Sequence, residues 1–207
     1  MKYIKMVTSS NFGNVFSVLI ASAWLPYQPM LPIQIIMQNL LYDISQTALP
    51  WDNMDEEYLA IPHRWNIRDL IRFIVVFGPT SSIIDMCTFC LDWFYYGIRT
   101  AHSPLVRRAQ THWFLEGLLT QTLIVHMLRT AKIPFVQSWA SRGLLTTTTC
   151  IMITGVSITY IPPLARLMSL IRPATSFLGF LAAELVLYCI EVQLIKIAYI
   201  KIFKVWL

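Results

Sequence analysis

Six apolar stretches dominate this chain, near residues 8–27, 30–49, 70–97, 113–130, 143–161 and 175–198. Each approaches the length of roughly 20 residues that a helix needs to cross a bilayer. Hydrocarbon offers no partner to backbone N–H and C=O groups, so stretches of this kind can only become helices packed side by side. Of the 207 residues, 56% are hydrophobic and 13% charged, about half the charged share of an ordinary soluble domain. The sequence therefore predicts an all-α membrane protein, a single domain over residues 1–207 with about six transmembrane helices. The most polar connection, 50–69, reads as a cytoplasmic loop, and its acidic run Asp52, Asp55, Glu56, Glu57 as a solvated one.

Charge gives the orientation. Eleven Lys and Arg residues fall on the side of Lys2, Lys5, Arg64, Arg68, Arg72, Arg129, Lys132, Arg142, Lys196, Lys201 and Lys204, and five on the side of Arg99, Arg107, Arg108, Arg166 and Arg172. The excess predicts both termini in the cytoplasm. The net charge of +5 is explained by these helix ends. No basic stripe interleaved with exposed aromatics occurs, which excludes a nucleic-acid partner. Lys2, Lys5 and the Ala21-Ser22-Ala23 triplet imitate a signal peptide, but Thr8, Ser9, Ser10, Asn11 and Asn14 make a poor apolar region, so an uncleaved first helix is expected. Cys87, Cys90, Cys150 and Cys189 lie inside apolar runs and read as small core residues.

Polar residues within these runs carry the chemical information, because a carboxylate in hydrocarbon is expensive and rarely kept without a partner or a task. Asn39 and Asp43 in Gln38-Asn39-Leu40-Leu41-Tyr42-Asp43 are four apart and share a helix face, and Asn11 and Asn14 are three apart in the preceding segment. The linker Pro26-Tyr27-Gln28-Pro29 is so short that it implies an antiparallel hairpin. Four oxygen-bearing side chains on adjacent helices form a plausible shell for a hard cation such as Mg²⁺ or Ca²⁺. Elsewhere, Asp85 is expected to pair with a neighbouring helix, Asp92 and Glu116 to lie near an interface, His126 to be interfacial, and Glu191 to meet Lys196 or water. A lone CxxC at Cys87 and Cys90 is a weak metal signal. No GxxxxGK[ST] loop and no catalytic constellation is present, so no catalysis by this chain is expected.

Thr8-Ser9-Ser10-Asn11-Phe12-Gly13-Asn14, the Gln38–Gln46 stretch and Leu49-Pro50-Trp51-Asp52 resemble the fifth and sixth transmembrane helices of P-type cation ATPases, above all the bacterial magnesium-transporting ones. The stretches Gly78-Pro79-Thr80-Ser81-Ser82-Ile83-Ile84-Asp85 and Trp113 to Thr130 resemble their seventh and eighth. The resemblance implies the last six helices of a ten-helix membrane domain in the inner (plasma) membrane, with Mg²⁺ as the transported ion. By position it implies that Asn11 and Asn14 are fifth-helix ligands and Asn39 and Asp43 sixth-helix ligands. Tyr42 stands where calcium pumps place a threonine and Asn14 where they carry a glutamate. One fewer carboxylate suits a single hydrated Mg²⁺ better than two calcium ions.

The family's DKTGT and TGES motifs, nucleotide-binding domain and first four helices do not occur in these residues. The expectation is a carboxy-terminal piece, inactive alone, with ATP used only through the missing upstream domains. The implied partners are the lipid bilayer and either the N-terminal part of a split pump or an intact pump. The alternative is a freestanding six-helix channel or carrier, or a membrane partner that modulates an intact pump.

Overall fold

The computed structural model describes residues 2–53, 55, 66–204 and 206. The acidic and aromatic residues Glu56, Glu57 and Trp65 of the connecting loop, with His63 and Arg64, lie outside the described residues. Among the described residues, seven α-helices follow in order: α1 (Lys2–Trp24), α2 (Pro32–Ser45), α3 (Ile67–Cys90), α4 (Val106–Leu128), α5 (Arg142–Tyr160), the short α6 (Pro162–Leu167) and α7 (Thr175–Phe203). A 3₁₀ turn at Leu49–Trp51 follows α2, and a π-helical turn at Leu91–Tyr95 continues α3. Among the described residues there is no strand, so the protein is all-α.

Local chemistry sets the boundaries. Pro32 opens α2 where a missing N–H costs nothing. The Asn66 side chain accepts from the Arg68 N–H at 3.0 Å to cap α3, and Ser141 caps α5 through the Leu144 N–H at 3.3 Å. Three described helical stretches are long and apolar enough to cross a membrane by length and composition alone: Ile67–Tyr95, Arg142–Tyr160 and Thr175–Phe203. The other expected spans are helices of different character. α2 has 14 residues, or about 21 Å, shorter than a bilayer core of roughly 30 Å. α4 is long enough but rich in Gln, Thr, His and Glu.

That polarity is explained by position. α4 is the central post, packed against α1, α2, α3, α5 and α7, and from Ala109 to Leu128 every residue except Leu123 is buried. A helix ringed by other helices meets no lipid and can keep polar side chains that a peripheral one cannot. Because lipid is as apolar as leucine, close packing holds such a bundle together. α1 and α3 make the most extensive contact, and it requires glycine. A Cβ on Gly13 would come within 2.6 Å of the Gly78 carbonyl oxygen and collide with Ser81. The Ser82 hydroxyl donates to the Gly13 carbonyl at 3.2 Å.

The expected α1–α2 hairpin is present in chain order, but the two helices scarcely touch along their lengths. They splay around a cavity instead. At one end of the bundle, Lys5 of α1 lies over the Phe73 ring at 5.9 Å, and Phe73 stands 6.0 Å from Trp206. The start of the chain, the start of α3 and the end of the chain thus share one end of the bundle.

Candidate cation site

The cavity between α1 and α2 has a volume of about 510 Å³. All four residues singled out by spacing line it: Asn11 and Asn14 from α1, Asn39 and Asp43 from α2. Gln38 and Trp113 also contribute, with an apolar wall that includes Val15, Val18, Met30 and Ile35. Two ties hold α2 at the cavity. The Leu31 N–H donates to the Gln34 side-chain oxygen at 2.9 Å, and the Gln34 amide donates to the Met168 carbonyl at 3.0 Å. Gln38 lies flat over Gly117, where a Cβ would come within 2.5 Å of its amide nitrogen. Asn11, Asn14, Asn39 and Asp43 form no hydrogen bond among the described residues, and Asn11 and Asp43 are exposed. Among the described residues no group of three or more His, Cys, Asp or Glu side chains could hold a metal. The cavity therefore offers amide oxygens and one carboxylate, a hard, weakly charged donor set.

Trp113, at the start of the fourth apolar stretch, is buried at 3% exposure. Its indole forms one wall of the cavity, and its Nε1–H donates to Asp85 at 2.6 Å. Asp85 also accepts from the Ser17 hydroxyl at 2.5 Å, which confirms its pairing with neighbouring helices. The signal for Trp113 lay in its spacing: it precedes Glu116 by three residues and Gly117 by four, on the face where α4 meets α1, α2 and α3.

Several expectations drawn from position along a segment are corrected. Asp92 is not left to solvent. It is wholly buried on the π-helical turn and bonds His112 Nδ1 at 2.7 Å, while the His112 ring stacks on Phe177 at 3.8 Å. Glu116 is not solvated but fully buried. His126 is buried at the C-terminal end of α4 and reaches the Thr148 hydroxyl at 3.0 Å. Lys196 does not meet Glu191. Its ammonium donates to the carbonyls of Met127, Thr130 and Lys132 at 2.9, 3.2 and 2.9 Å, so a cation caps the C-terminal end of α4. Cys87, Cys90 and Cys150 are exposed on outer helix faces and are not core residues, and Cys189 is half-buried.

The acidic loop is also held rather than free where it is described. Asp52 takes Arg129 at 2.8 Å and the Ser141 N–H at 2.8 Å, and Asp55 takes the Thr130 hydroxyl at 2.8 Å. The reason is the row of donors just beyond α4, the Arg129 guanidinium, the Thr130 hydroxyl and the Ala131 N–H, from which the loop's carboxylates accept.

The described helices thus form a bundle with a cavity bordered by four oxygen-bearing side chains. The chain matches the family model described as cation transporting ATPase, C-terminus, over residues 27–205, and belongs to that family. It is 52% identical over 196 residues to the magnesium-transporting ATPase, P-type 1, of Salmonella typhimurium (strain 14028s), a match that covers 95% of this chain and 21% of that protein. The magnesium-transporting ATPase, P-type 1, of Escherichia coli K12 is 50% identical over 196 residues, 95% of this chain and 22% of the relative. The chain spans about a fifth of the length of these relatives.

Proposed function

We propose that this chain lines one side of the ion path of a Mg²⁺-translocating P-type pump, with Asn11, Asn14, Asn39 and Asp43 supplying oxygens to a partly hydrated Mg²⁺. The observation that carries the reading is that these four side chains, from two helices, border one cavity and are free of hydrogen bonds among the described residues. Mg²⁺ demands near-octahedral oxygen geometry and gives up water reluctantly. A space of about 510 Å³ holds the ion and a shell of roughly six waters, at about 30 Å³ each. One carboxylate among amides neutralises half the ion's charge, a balance between holding the ion and releasing it.

In this reading about six helices cross the inner membrane, and the end that gathers Lys5, Arg72, Arg129 and Lys196 faces the cytoplasm. The exposed flank of Asn11 and Asp43 is covered by another helix of the pump, and ATP is handled by other segments of the pump. The test is Mg²⁺ uptake by proteoliposomes carrying the full pump with Asp43→Ala or Asp43→Asn. Uptake should fall at least tenfold with the protein still folded and inserted. Full uptake by the alanine variant would overturn the assignment.

A further inference from the structure

Gln34 and Gln38 stand four residues apart on the buried face of α2, at 0% and 4% exposure. Their amides are used in opposite ways. Gln34 accepts from the Leu31 N–H at 2.9 Å and donates to the Met168 carbonyl at 3.0 Å. Gln38 forms no hydrogen bond among the described residues, yet it lines the cavity that Asn11, Asn14, Asn39 and Asp43 border. A buried amide without a partner costs free energy, so such a group is kept where something else fills its hydrogen-bonding capacity. Gln46 and Gln121 are also buried without a partner among the described residues, but neither borders this cavity.

The surroundings of Gln38 show which way its amide is offered. A Cβ on Gly117 of α4 would come within 2.5 Å of the Gln38 amide nitrogen, while the amide oxygen lies 3.8 Å from that point. Glycine at 117 is therefore the condition for the amide to rest there, since any side chain would push it away. The nitrogen lies against α4 and the oxygen is turned from it. Trp113, one turn before Gly117, lines the same cavity and is fixed by its N–H bond to Asp85 at 2.6 Å. Asn11 and Asp43 stand exposed at the rim, whereas Gln38 and Trp113 are buried and form the closed wall. An amide oxygen is a hard, neutral donor, suited to a divalent cation or to the water that Mg²⁺ retains.

We propose that Gln38 is a fifth oxygen donor of the cavity, set at its closed wall by the absence of a side chain at Gly117, where it holds the hydrated Mg²⁺ and fixes the affinity for it. This inference rests on the assignment of the cavity to Mg²⁺. Being neutral, Gln38 orders the ion's shell without adding to the charge that the ion must leave behind. Gly117 is a positioning residue that acts through Gln38.

The test is Mg²⁺ uptake by proteoliposomes carrying the full pump, with the half-saturating Mg²⁺ concentration and the maximal rate measured separately. Gln38→Met keeps the volume and removes the amide, and should raise the half-saturating concentration about tenfold or more, with most of the lost rate recovered at high Mg²⁺. Gln38→Asn, which stays polar but draws the oxygen back by one methylene, should raise it too, and decides the matter if the methionine variant does not insert. Gly117→Ala should act in the same direction. Gln38→Glu, which keeps an oxygen in place, should hold it at or below the wild-type value. An unchanged half-saturating concentration in Gln38→Met or Gln38→Asn, or an equal rise in Gln38→Glu, would overturn the proposal. Asp43→Asn in the same assay separates the two readings. If it lowers uptake while the Gln38 variants do not, the role of Gln38 falls and the cavity assignment stands; if none of them changes uptake, both fall.

Discussion

Asp43 and Asp85 are both carboxylates in the interior of largely apolar helices, yet their surroundings are opposite. Asp43 stands exposed at the rim of a cavity with no hydrogen bond among the described residues, beside three amides that are equally free. Asp85 is enclosed, with both oxygens taken by donors from α1 and α4. The first arrangement leaves lone pairs without a fixed partner among the described residues. The second spends them on fixed neighbours and gains rigidity. The same residue type is thus left open in one region and built in in the other, and the difference lies in how many helices surround it.

Substitutions can break that contrast, and the largest effect should come from the enclosed centre. Asp85→Leu strands the Ser17 hydroxyl and the Trp113 N–H in the interior and should lower stability by about 3 kcal/mol, read as the midpoint of unfolding in mixed micelles of rising SDS content. A value near zero would show that the seam is as plastic as the cavity. Gly13→Ala tests the scaffold that keeps α1 on α3. The new methyl meets the Gly78 carbonyl, and the loss should be about 2 kcal/mol, measured by the thermal loss of helical circular dichroism. Trp113→Phe keeps the aromatic wall and deletes one hydrogen bond to a carboxylate, for a loss of about 1.5 kcal/mol, visible as earlier unfolding in the same SDS titration. Asp43→Asn should change stability by less than about 0.5 kcal/mol while it reduces ion transport. A stability loss as large as that of Asp85→Leu would mean that Asp43 is a structural residue.

The cavity was legible in the sequence because helical spacing and a four-residue linker are local facts. Asn11 and Asn14, like Asn39 and Asp43, do meet around one space. What failed was the rule that a polar residue near the end of a segment is near water. Asp92, Glu116 and His126 are all near segment ends, and all are buried, because α4 is surrounded by five helices and the π-helical turn carries Asp92 onto His112. Lys196 was misassigned for a similar reason. Spacing along the helix pairs it with Glu191, but the end of α4 presents three carbonyls to the lysine from distant sequence. The cysteines show the converse error, since a residue small enough for a core was also apolar enough for an outer face. Tertiary neighbours, which periodicity does not encode, account for each of these cases.

The glycine contact between α1 and α3 has a consequence for how the protein is made. The Ser82 hydroxyl reaches the Gly13 carbonyl across 69 residues of chain, and at about 5–20 residues per second synthesis takes roughly 3–14 s to cover that distance. During this interval α1 has left the ribosome without the surface it will pack on, and its sequence neighbour α2 offers little contact in exchange. The asparagines of α1 therefore enter the membrane before either the wall that anchors their helix or the post that closes their cavity exists. The α1 side of the cavity is thus made well before the cavity can close.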